Sequence, residues 1–390
     1  MSAKKLLVDI HTHVYLPRYA SLLRSRTSVP RILSRTTPSG DTEDRLLILD
    51  HEPSGGRPVG PQYWDREEKL KFMDKHDIDI SVVSTANPWL DFLPPSTAHS
   101  LAQDLNTDLE SYCSTSPLLP SSSSLNRLYA FGLLPLVPSI PIPHILSTIS
   151  QISSLPHLKG VIIGTRGIGK GLDDPELELV WEAIEKAGLV IFLHPHYGVG
   201  NGEEWGEREN GHVLPLALGF PFETTVAITR LILSGILDRY PSLHILLAHS
   251  GGTLPLLSSR LSSCIDHDPI VQHCLKHDAR WYMSKLWFDA VAYGSEELGF
   301  VSDVIGRAEA FDKPGSSASV SVSVGGEGRK KGSERILFGT DHPFFPPLNE
   351  SEKWRSVVEN LEAIDGVRGW DQEAKDGVRG GNALALFGLS

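Results

Sequence analysis

The chain has 390 residues, of which 40% are hydrophobic and 22% are charged, a composition typical of globular proteins. Its formal net charge of -12 argues against a surface that binds nucleic acid or an anionic membrane. An anionic substrate is not excluded, because a metal ion or an arginine can dominate the potential inside a pocket. The length allows one large domain or two small ones.

The cysteines and the apolar segments indicate a compartment. Cys113, Cys264 and Cys274 are far apart and odd in number, so they predict neither a disulfide framework nor a cysteine metal site. The apolar run before the first histidines is too short for a secretory signal. The most apolar stretch, 128–146, contains four prolines and is not expected to form a membrane helix. We therefore expect a soluble, cytoplasmic protein.

Eight short apolar runs rich in β-branched and aromatic residues predict β-strands, and helical patterns fill several of the gaps between them. The predicted strands are 6–10, 78–84, 128–132, 158–163, 189–193, 243–248, 286–289 and 335–339. The predicted helices are 67–76, 175–187, 223–234, 252–265, 296–306 and 352–361. This alternation predicts an α/β fold, a (β/α)8 TIM barrel in a single domain over residues 1–390.

Three segments depart from that alternation. Residues 16–66 are rich in Pro, Arg and Gly and predict an insertion after the first strand. Residues 114–124 are rich in Ser and Pro and predict a loop. Residues 313–333 are rich in Ser and Gly and end in a basic run at 329–331, which predicts a mobile, solvated surface loop rather than a nuclear signal.

Side chains that can bind a metal or transfer a proton come at the ends of several predicted strands. These residues are His11, His13, His194, His196, His249 and Asp341. Each histidine alone could be a hydrogen-bonded core residue, but active sites of such barrels lie where the strands end. The repeated coincidence therefore predicts a metal site.

The donor types indicate which metal would bind. Three imidazoles and one carboxylate, without a thiolate, favour Zn²⁺ with an open coordination position, although Mn²⁺ or Fe²⁺ could bind the same ligands. Asp9 precedes the first histidine pair. It either supports the ligands from behind or only ends the strand, and the sequence leaves both interpretations open.

Four motifs carry a family resemblance. The motifs are Asp9-Ile10-His11-Thr12-His13, His194-Pro195-His196, Ala248-His249-Ser250-Gly251-Gly252 and Gly339-Thr340-Asp341-His342-Pro343-Phe344. They resemble the amidohydrolase superfamily and, within it, the aminocarboxymuconate-semialdehyde decarboxylase (ACMSD) branch. The similarity continues to 381–389, and the segments 86–89, 169–175, 194–198, 211–225 and 341–347 are most similar to the uracil-5-carboxylate (isoorotate) decarboxylases of that branch.

The resemblance implies a set of site residues. The ligands of one metal would be His11, His13, His194 and Asp341, and the absence of a lysine at 163–165 favours a mononuclear site. His249 would act as a catalytic or orienting base. Arg57 and Asn87 would contact the ring and the carboxylate of the substrate, and Phe344 would pack on the ring. Arg260 would reach the site of a partner subunit, which implies a homodimer or a dimer-based tetramer.

Simpler interpretations of these residues remain open. Arg57 could be an exposed loop residue, Asn87 could cap a turn, and Phe344 could be a core aromatic. His196 could support the metal site from behind or contact the substrate. His342 and His212 are interpreted as structural.

We therefore expect a zinc-dependent, non-oxidative decarboxylase of a planar carboxylated ring, with uracil-5-carboxylate as the expected substrate. The metal would bind the substrate carboxylate and the adjacent carbonyl oxygen, and Asp341 would protonate the ring carbon. Arg57, Asn87, Trp89, Phe92 and Phe344 as pocket residues would favour a flat heterocycle. The alternatives are aminocarboxymuconate semialdehyde or a γ-resorcylate-type substrate, metal-dependent hydrolysis of an amide or lactone, and a scaffold without activity.

Overall fold

The computed structural model describes residues 5–37, 40–50, 52, 55–197, 210–313, 326–347, 349 and 351–389. In chain order the strands are β1 (Val8–Val14), β2 (Arg31–Thr36), β3 (Thr42–Leu47), β4 (Arg57–Val59), β5 (Ile80–Thr85), β6 (Leu128–Leu133), β7 (Leu158–Gly164), β8 (Val190–His194), β9 (His244–Leu247), β10 (Trp287–Asp289) and β11 (Ile336–Leu337). Eight of them form one parallel sheet in the order β1-β5-β6-β7-β8-β9-β10-β11. The backbone N–H of Ile10 donates to Phe338 O over 3.0 Å, and that of Thr340 donates to His11 O over 3.2 Å. These bonds join the last strand to the first, and the predicted barrel is confirmed.

The helices cover the outside of this barrel. They are α1 (Pro17–Ser25), α2 (Pro61–Trp64), α3 (Arg66–Lys75), α4 (Pro95–Ser114), α5 (Ile142–Ser154), α6 (Glu178–Ala187), α7 (Phe220–Leu233), α8 (Ile236–Arg239), α9 (Leu254–Asp266), α10 (Ser295–Arg307), α11 (Glu327–Ser333), α12 (Arg355–Gly366), α13 (Gln372–Asp376) and α14 (Asn382–Phe387). All six predicted helices are present, with ends shifted by a few residues, whereas α4 and α5 had no counterpart in the prediction.

The first strand is longer than predicted. All seven residues of β1 are buried, as is usual for a parallel strand that is covered on both sides. His11 and His13 therefore lie within the strand, not after it. Its pairing with β5 shifts register between Asp9 and Thr12, just where the histidine pair begins.

The insertion after β1 holds a small antiparallel sheet in the order β2-β3-β4. Arg57 begins β4 and lies opposite Leu46, so it is part of a strand and not a free loop residue. The preceding Gly56 has φ +89°, and a Cβ there would lie 2.4 Å from Leu46 O. Only glycine fits this turn, which delivers Arg57 toward the barrel.

The prediction of a loop over 313–333 is wrong for its final part. Residues 327–333 form α11, which packs against α10 so closely that a Cβ on Gly332 would lie 1.9 Å from Ser302 O. The basic run is neutralised by acidic partners: Arg329 pairs with Asp303, Lys330 with Asp371 and Glu373, and Lys331 with Glu309. The central part, 314–325, lies outside the described residues.

One helical stretch has the length and composition of a membrane span. Within the described ranges, only Pro215–Leu233 does so, with 19 residues, a mean hydropathy of 1.4 and 44% of the window buried. The apolar stretch 128–146 instead contains β6 and the start of α5.

Candidate metal centre and active site

The structure brings the four predicted ligands together at the carboxyl end of the barrel. One ligand atom from each of His11, His13, His194 and Asp341 lies within 4.8 Å of the other three, and all four residues are buried. Oδ1 of Asp341 is 3.3 Å from Nε2 of His11 and 3.5 Å from Nε2 of His13. The residues come from β1, from the end of β8 and from the segment after β11, which meet because the barrel closes.

The hydrogen bonds of the three imidazoles fit a metal. Each Nδ1 has a partner: Asp289 Oδ2 at 2.6 Å for His11, Ser84 Oγ at 2.9 Å for His13, and Pro195 O at 2.8 Å for His194. Each Nε2 is buried without a hydrogen-bond partner. Partners on one nitrogen fix the tautomer and direct the other nitrogen toward a metal. The donor set therefore suits a divalent cation such as Zn²⁺.

The pKa values of these groups describe the metal-free cluster. Burial lowers the pKa of His13 to about 4 and holds that of His194 well below its usual value. Burial also opposes charge on His11, but the carboxylates of Asp341 and Asp289 outweigh it and raise the pKa of His11 to about 10. Burial would raise the pKa of Asp341, but the imidazoles of His11, His13 and His249 keep it well below its ordinary value. Asp341 is thus ionised at neutral pH, and the proton on His11 is the one that a metal must displace.

His249 lies beside the four-residue cluster. Its Nε2 is 3.9 Å from Oδ2 of Asp341, and its ring centroid is 5.2 Å from that of His11. Its Nδ1 is buried without a partner. His249 and Asp341 both have positive φ, 55° and 57°, which is rare for residues with a side chain and common at active sites. The pair can exchange a proton on the side of Asp341 that faces away from His11.

Behind the ligands, Asp9 fixes the joint between the first and last strands. Its carboxylate accepts hydrogen bonds from Thr340 N at 3.1 Å, Thr340 Oγ1 at 2.8 Å and His11 N at 3.3 Å. The sequence left open whether Asp9 supports the ligands or only ends the strand, and these hydrogen bonds favour the supporting role. Burial raises the pKa of Asp9 to about 6.

Lys69, which the sequence did not single out, is fully buried on the outer side of β1. Its Nζ lies 2.6 Å from Thr12 Oγ1 and 2.6 Å from His342 Nδ1. Burial lowers the pKa of Lys69 to about 7. His342 is structural, as interpreted from the sequence: its ring also stacks on Phe72 with centroids 3.6 Å apart.

Two neighbouring cavities lie at this end of the barrel, and the larger one borders the cluster. The larger, about 1070 Å³, is bounded by His194, His249 and Asp341 and by an apolar wall. The smaller, about 330 Å³, is bounded by Arg57, Asn87 and Tyr63, and Phe344 borders both. His212 also borders both cavities, and its interpretation as structural stays a prediction. The volumes are those of small-ligand sites.

Arg57, Asn87 and Phe344 come together in the smaller cavity. Nη2 of Arg57 donates to Asn87 O and to the hydroxyl of Tyr15, each over 2.9 Å, and the guanidinium lies 4.5 Å from the ring centroid of Phe344. Nδ2 of Asn87 donates to His196 O over 2.5 Å. Arg57 Nε and Asn87 Oδ1 are buried without partners. Both residues line the smaller cavity, which shares Phe344 with the larger cavity at the metal cluster.

Three predicted pocket residues lie elsewhere. His196 borders neither cavity, and its Nε2 is 3.1 Å from Asp91, which favours support of the site over contact with the substrate. The carboxylate of Glu223 accepts the backbone N–H of His196 over 3.0 Å and so fixes the chain in this orientation. Trp89 packs on His196, with centroids 4.8 Å apart, and the guanidinium of Arg26 covers Phe92.

Arg260 is exposed on α9 and borders neither cavity of its own chain. Its contact with a partner subunit stays a prediction. Sequence reasoning also missed Asp289, although it ends a predicted strand and the strand-end rule that found the ligands would have found it.

The chain is similar to proteins of one known family. The sequence model of the amidohydrolase family matches residues 150–389. The 2-amino-3-carboxymuconate-6-semialdehyde decarboxylase of Dictyostelium discoideum is 26% identical over 394 residues, covering 99% of this chain and 92% of that protein. The crystal structure of Metarhizium anisopliae IDCase in apo form is 39% identical, covers 99% of this chain and 98% of the other, and superposes with a TM-score of 0.83.

A more distant structure contains a metal. The dihydroxybenzoic acid decarboxylase of Polaromonas sp. JS666, with bound manganese and 2-nitroresorcinol, is 18% identical, covers 99% of this chain and 98% of the other, and has a TM-score of 0.66. At that identity the likeness shows the fold alone. The nearer relatives confirm the resemblance and the enzyme class indicated by the sequence. The chain therefore belongs to the amidohydrolase family and is a member of its decarboxylase branch.

Proposed function

We propose that this chain is a zinc-dependent decarboxylase that converts uracil-5-carboxylate (isoorotate) to uracil and carbon dioxide. The observation that carries the proposal is the pair Arg57 and Asn87, which line a 330 Å³ cavity next to the cavity at the metal cluster and whose Nε and Oδ1 atoms are buried without partners. The 39% identity to IDCase over nearly the whole chain supports it. So does the similarity of several segments to isoorotate decarboxylases.

The unpartnered pair favours a pyrimidine over a benzene ring. Buried polar atoms without partners are costly, so a ligand that satisfies both is preferred. The edge of uracil away from the carboxylate alternates N–H and C=O groups, which offers a donor to Asn87 and an acceptor to Arg57. The edge of γ-resorcylate away from its carboxylate carries only C–H groups and would leave both atoms unsatisfied.

The residues of the chain can carry out the reaction at this ring. A divalent metal held by His11, His13, His194 and Asp341 would supply Lewis-acid polarisation of the carboxylate and its neighbouring carbonyl. Arg57 offsets the negative charge of the substrate, and Phe344, which borders both cavities, packs against the ring.

Proton transfer centres on Asp341. The reaction consumes one proton: a C–H bond forms at the ring carbon, the C–C bond to the carboxylate breaks, its electron pair stays on the ring and carbon dioxide leaves. Asp341 is ionised in the resting site, so it must first receive that proton. His249, 3.9 Å away and bordering the larger, more open cavity, delivers it from solvent.

The test follows the ultraviolet absorbance of uracil-5-carboxylate with zinc-loaded protein. Turnover by the wild type that is lost in Asp341→Asn supports the proposal. The control substrate is γ-resorcylate, whose ring edge opposite the carboxylate carries no polar group. The uracil assignment would be overturned if protein that holds one metal per chain turned over γ-resorcylate or aminocarboxymuconate semialdehyde instead of uracil-5-carboxylate. Activity confined to cyclic amides or lactones would favour hydrolysis.

Metal analysis of protein purified without added metal tests the choice of zinc over manganese or iron.

We further propose that the protein is a homodimer through the face that carries α9. Leu256 on α9 is 69% exposed and borders the larger cavity, and Val213 and Phe345 on the same rim are 66% and 49% exposed. Exposed apolar side chains concentrated around a site mark an interface. Arg260 lies one helical turn after Leu256 on the same side of α9. If a second copy of the chain packed on this face, Arg260 would therefore lie near the cavity of that copy.

Mixing inactive variants tests this arrangement. Arg260→Ala and Asp341→Asn chains, each inactive alone, would regain activity when mixed and allowed to exchange, because a mixed dimer has one site with an intact Asp341 and a partner's intact Arg260. A monomer in light scattering, or no recovery in mixed dimers, would contradict the proposal.

We also propose a cytoplasmic location and a single domain over the whole chain. Cys264 and Cys274 are exposed free thiols, which suits a reducing compartment. The C-terminal α14 contacts β1, so both ends of the described chain belong to one barrel. Imaging of a tagged full-length chain tests the location.

A further inference from the structure

Asp289 connects the metal cluster to the loop that carries His249. It is the last residue of β10, and it is fully buried at the end of the barrel where the ligands lie. None of its contacts is with solvent, so its carboxylate depends on protein donors for stabilisation.

Both carboxylate oxygens are occupied. Oδ2 lies 2.6 Å from His11 Nδ1 and accepts His249 N over 2.9 Å. Oδ1 accepts Ser250 N over 2.7 Å and Val291 N over 3.1 Å. One side chain thus contacts a metal ligand and the backbone of the residue proposed to deliver protons.

The backbone that Asp289 holds is in a sparsely populated conformation. His249 and Ser250 have φ of 55° and 52°, the left-handed region that residues with a Cβ rarely adopt. Two consecutive residues stay there only if the surroundings fix them. Asp289 accepts the backbone N–H groups of both of these residues.

We propose that Asp289 is a positioning residue that holds His11 and His249 in one arrangement, setting metal affinity through the first and turnover through the second. The Nδ1–H of His11 donates to Asp289, which leaves Nε2 for the metal. The fixed loop keeps the imidazole of His249 beside Asp341. The turnover part rests on the proposed decarboxylase function, whereas the metal-affinity part does not.

The amide variant Asp289→Asn tests the contacts of this carboxylate with His11 and with the loop. Each oxygen accepts at least one backbone N–H, so either orientation of an asparagine places its NH₂ group against an N–H donor. The nearly isosteric change therefore preserves volume, loses a hydrogen bond to the loop in either orientation, and removes the negative charge that faces His11. If it does not fold, the smaller Asp289→Ser, which leaves room for water, replaces it in the same measurements.

The matched control is Ser84→Ala. Ser84 contacts Nδ1 of the ligand His13 and makes no contact with His249, so it supports the metal only. Zinc affinity is measured by competition with a chromophoric chelator, and kcat and KM are measured on zinc-saturated protein. We expect both variants to bind zinc about 10- to 100-fold more weakly. When saturated with zinc, Asp289→Asn should lose much more kcat than Ser84→Ala, with KM little changed.

Wild-type zinc affinity in Asp289→Asn, or full recovery of kcat at saturating zinc, would overturn the proposal. A lower melting temperature with unchanged affinity and kcat would show a purely structural role and would overturn it as well. If the wild type turns over none of the substrates, the decarboxylase proposal fails, and the affinity comparison still tests the link from Asp289 to His11.

Discussion

Nζ of Lys69 lies 2.6 Å from Nδ1 of His342, the residue that follows the metal-cluster carboxylate Asp341. The same ammonium group donates to Thr12, which lies between the two histidines of β1. A single side chain from α3 thus joins the first strand to the segment after the last strand, at the place where closure of the barrel assembles the ligands. Lys69 is fully buried, so replacing its ammonium group by a water molecule would be energetically unfavourable.

Replacement of this lysine should lower stability. Lys69→Met fills the space but leaves Nδ1 of His342 without its partner and Thr12 Oγ1 with only the His342 carbonyl, so the free energy of unfolding should fall by about 1–3 kcal/mol. Urea denaturation measures the change. Lys71→Met on the same helix is the control: that side chain is 72% exposed, and its loss should cost less than about 0.5 kcal/mol. Equal effects of the two substitutions would contradict the role given to Lys69.

Zinc binding should release one proton at neutral pH. In the metal-free protein the pKa of His11 is raised to about 10, so His11 is protonated below that pH and zinc must displace the proton. His13, with a pKa of about 4, and His194 are already neutral and release none. Apparent zinc affinity should therefore rise about tenfold per pH unit between pH 6 and 8.

Calorimetric titrations in buffers with different ionisation enthalpies count this proton directly. A value near one supports the charge distribution described for the cluster. Zinc binding without proton release, together with an affinity that does not change with pH, would show that His11 is neutral before the metal arrives.

The sequence was sufficient for the barrel and for the strand-end candidates because both depend on local signals, whereas the choice of four ligands among those candidates came from the family resemblance. Each barrel strand is a short apolar run, and the ligands lie at or beside strand ends. Helix α5 was missed because prolines around 141 and 143 suggested a break, whereas Pro143 lies in the first turn, where a proline is tolerated. The apolar face of α4 is built partly from small residues such as Ala98 and Ala102, a weak signal among its many polar residues.

Contacts between distant segments could not be predicted in this way. The orientation of His196 depends on Glu223, 27 residues further along the chain, and the burial of Lys69 depends on a histidine 273 residues away. A lysine in an otherwise polar helix is ordinarily exposed, and only the closed barrel reveals that this one faces inward. The antiparallel sheet that makes Arg57 a strand residue likewise depends on pairing within an insertion rich in turn residues.

His249 should affect catalysis without affecting metal binding. His249→Asn removes the group that delivers protons to Asp341, so kcat should fall by about 10²- to 10⁴-fold, whereas zinc content stays at one per chain. Stopped-flow absorbance and metal analysis on the same preparation measure both. The control is His244→Asn at the opposite end of β9, which should leave kcat and zinc content unchanged. Loss of zinc in His249→Asn would instead place His249 among the ligands.

Arg57 should determine substrate affinity through its planar, forked geometry and not through its charge alone. A lysine keeps the charge but cannot contact the Asn87 carbonyl, the Tyr15 hydroxyl and the substrate at once, so Arg57→Lys should raise KM for uracil-5-carboxylate by about 10- to 100-fold. The control is Arg24→Lys on the exposed side of the insertion, where the arginine pairs with Asp44 and KM should not change. If Arg57→Lys retains the wild-type KM, charge alone suffices, and the unpartnered Nε can no longer support a pyrimidine substrate. If KM rises as expected and Asn87→Ala then adds little to it, the two side chains hold the same ring edge, as the cavity geometry requires.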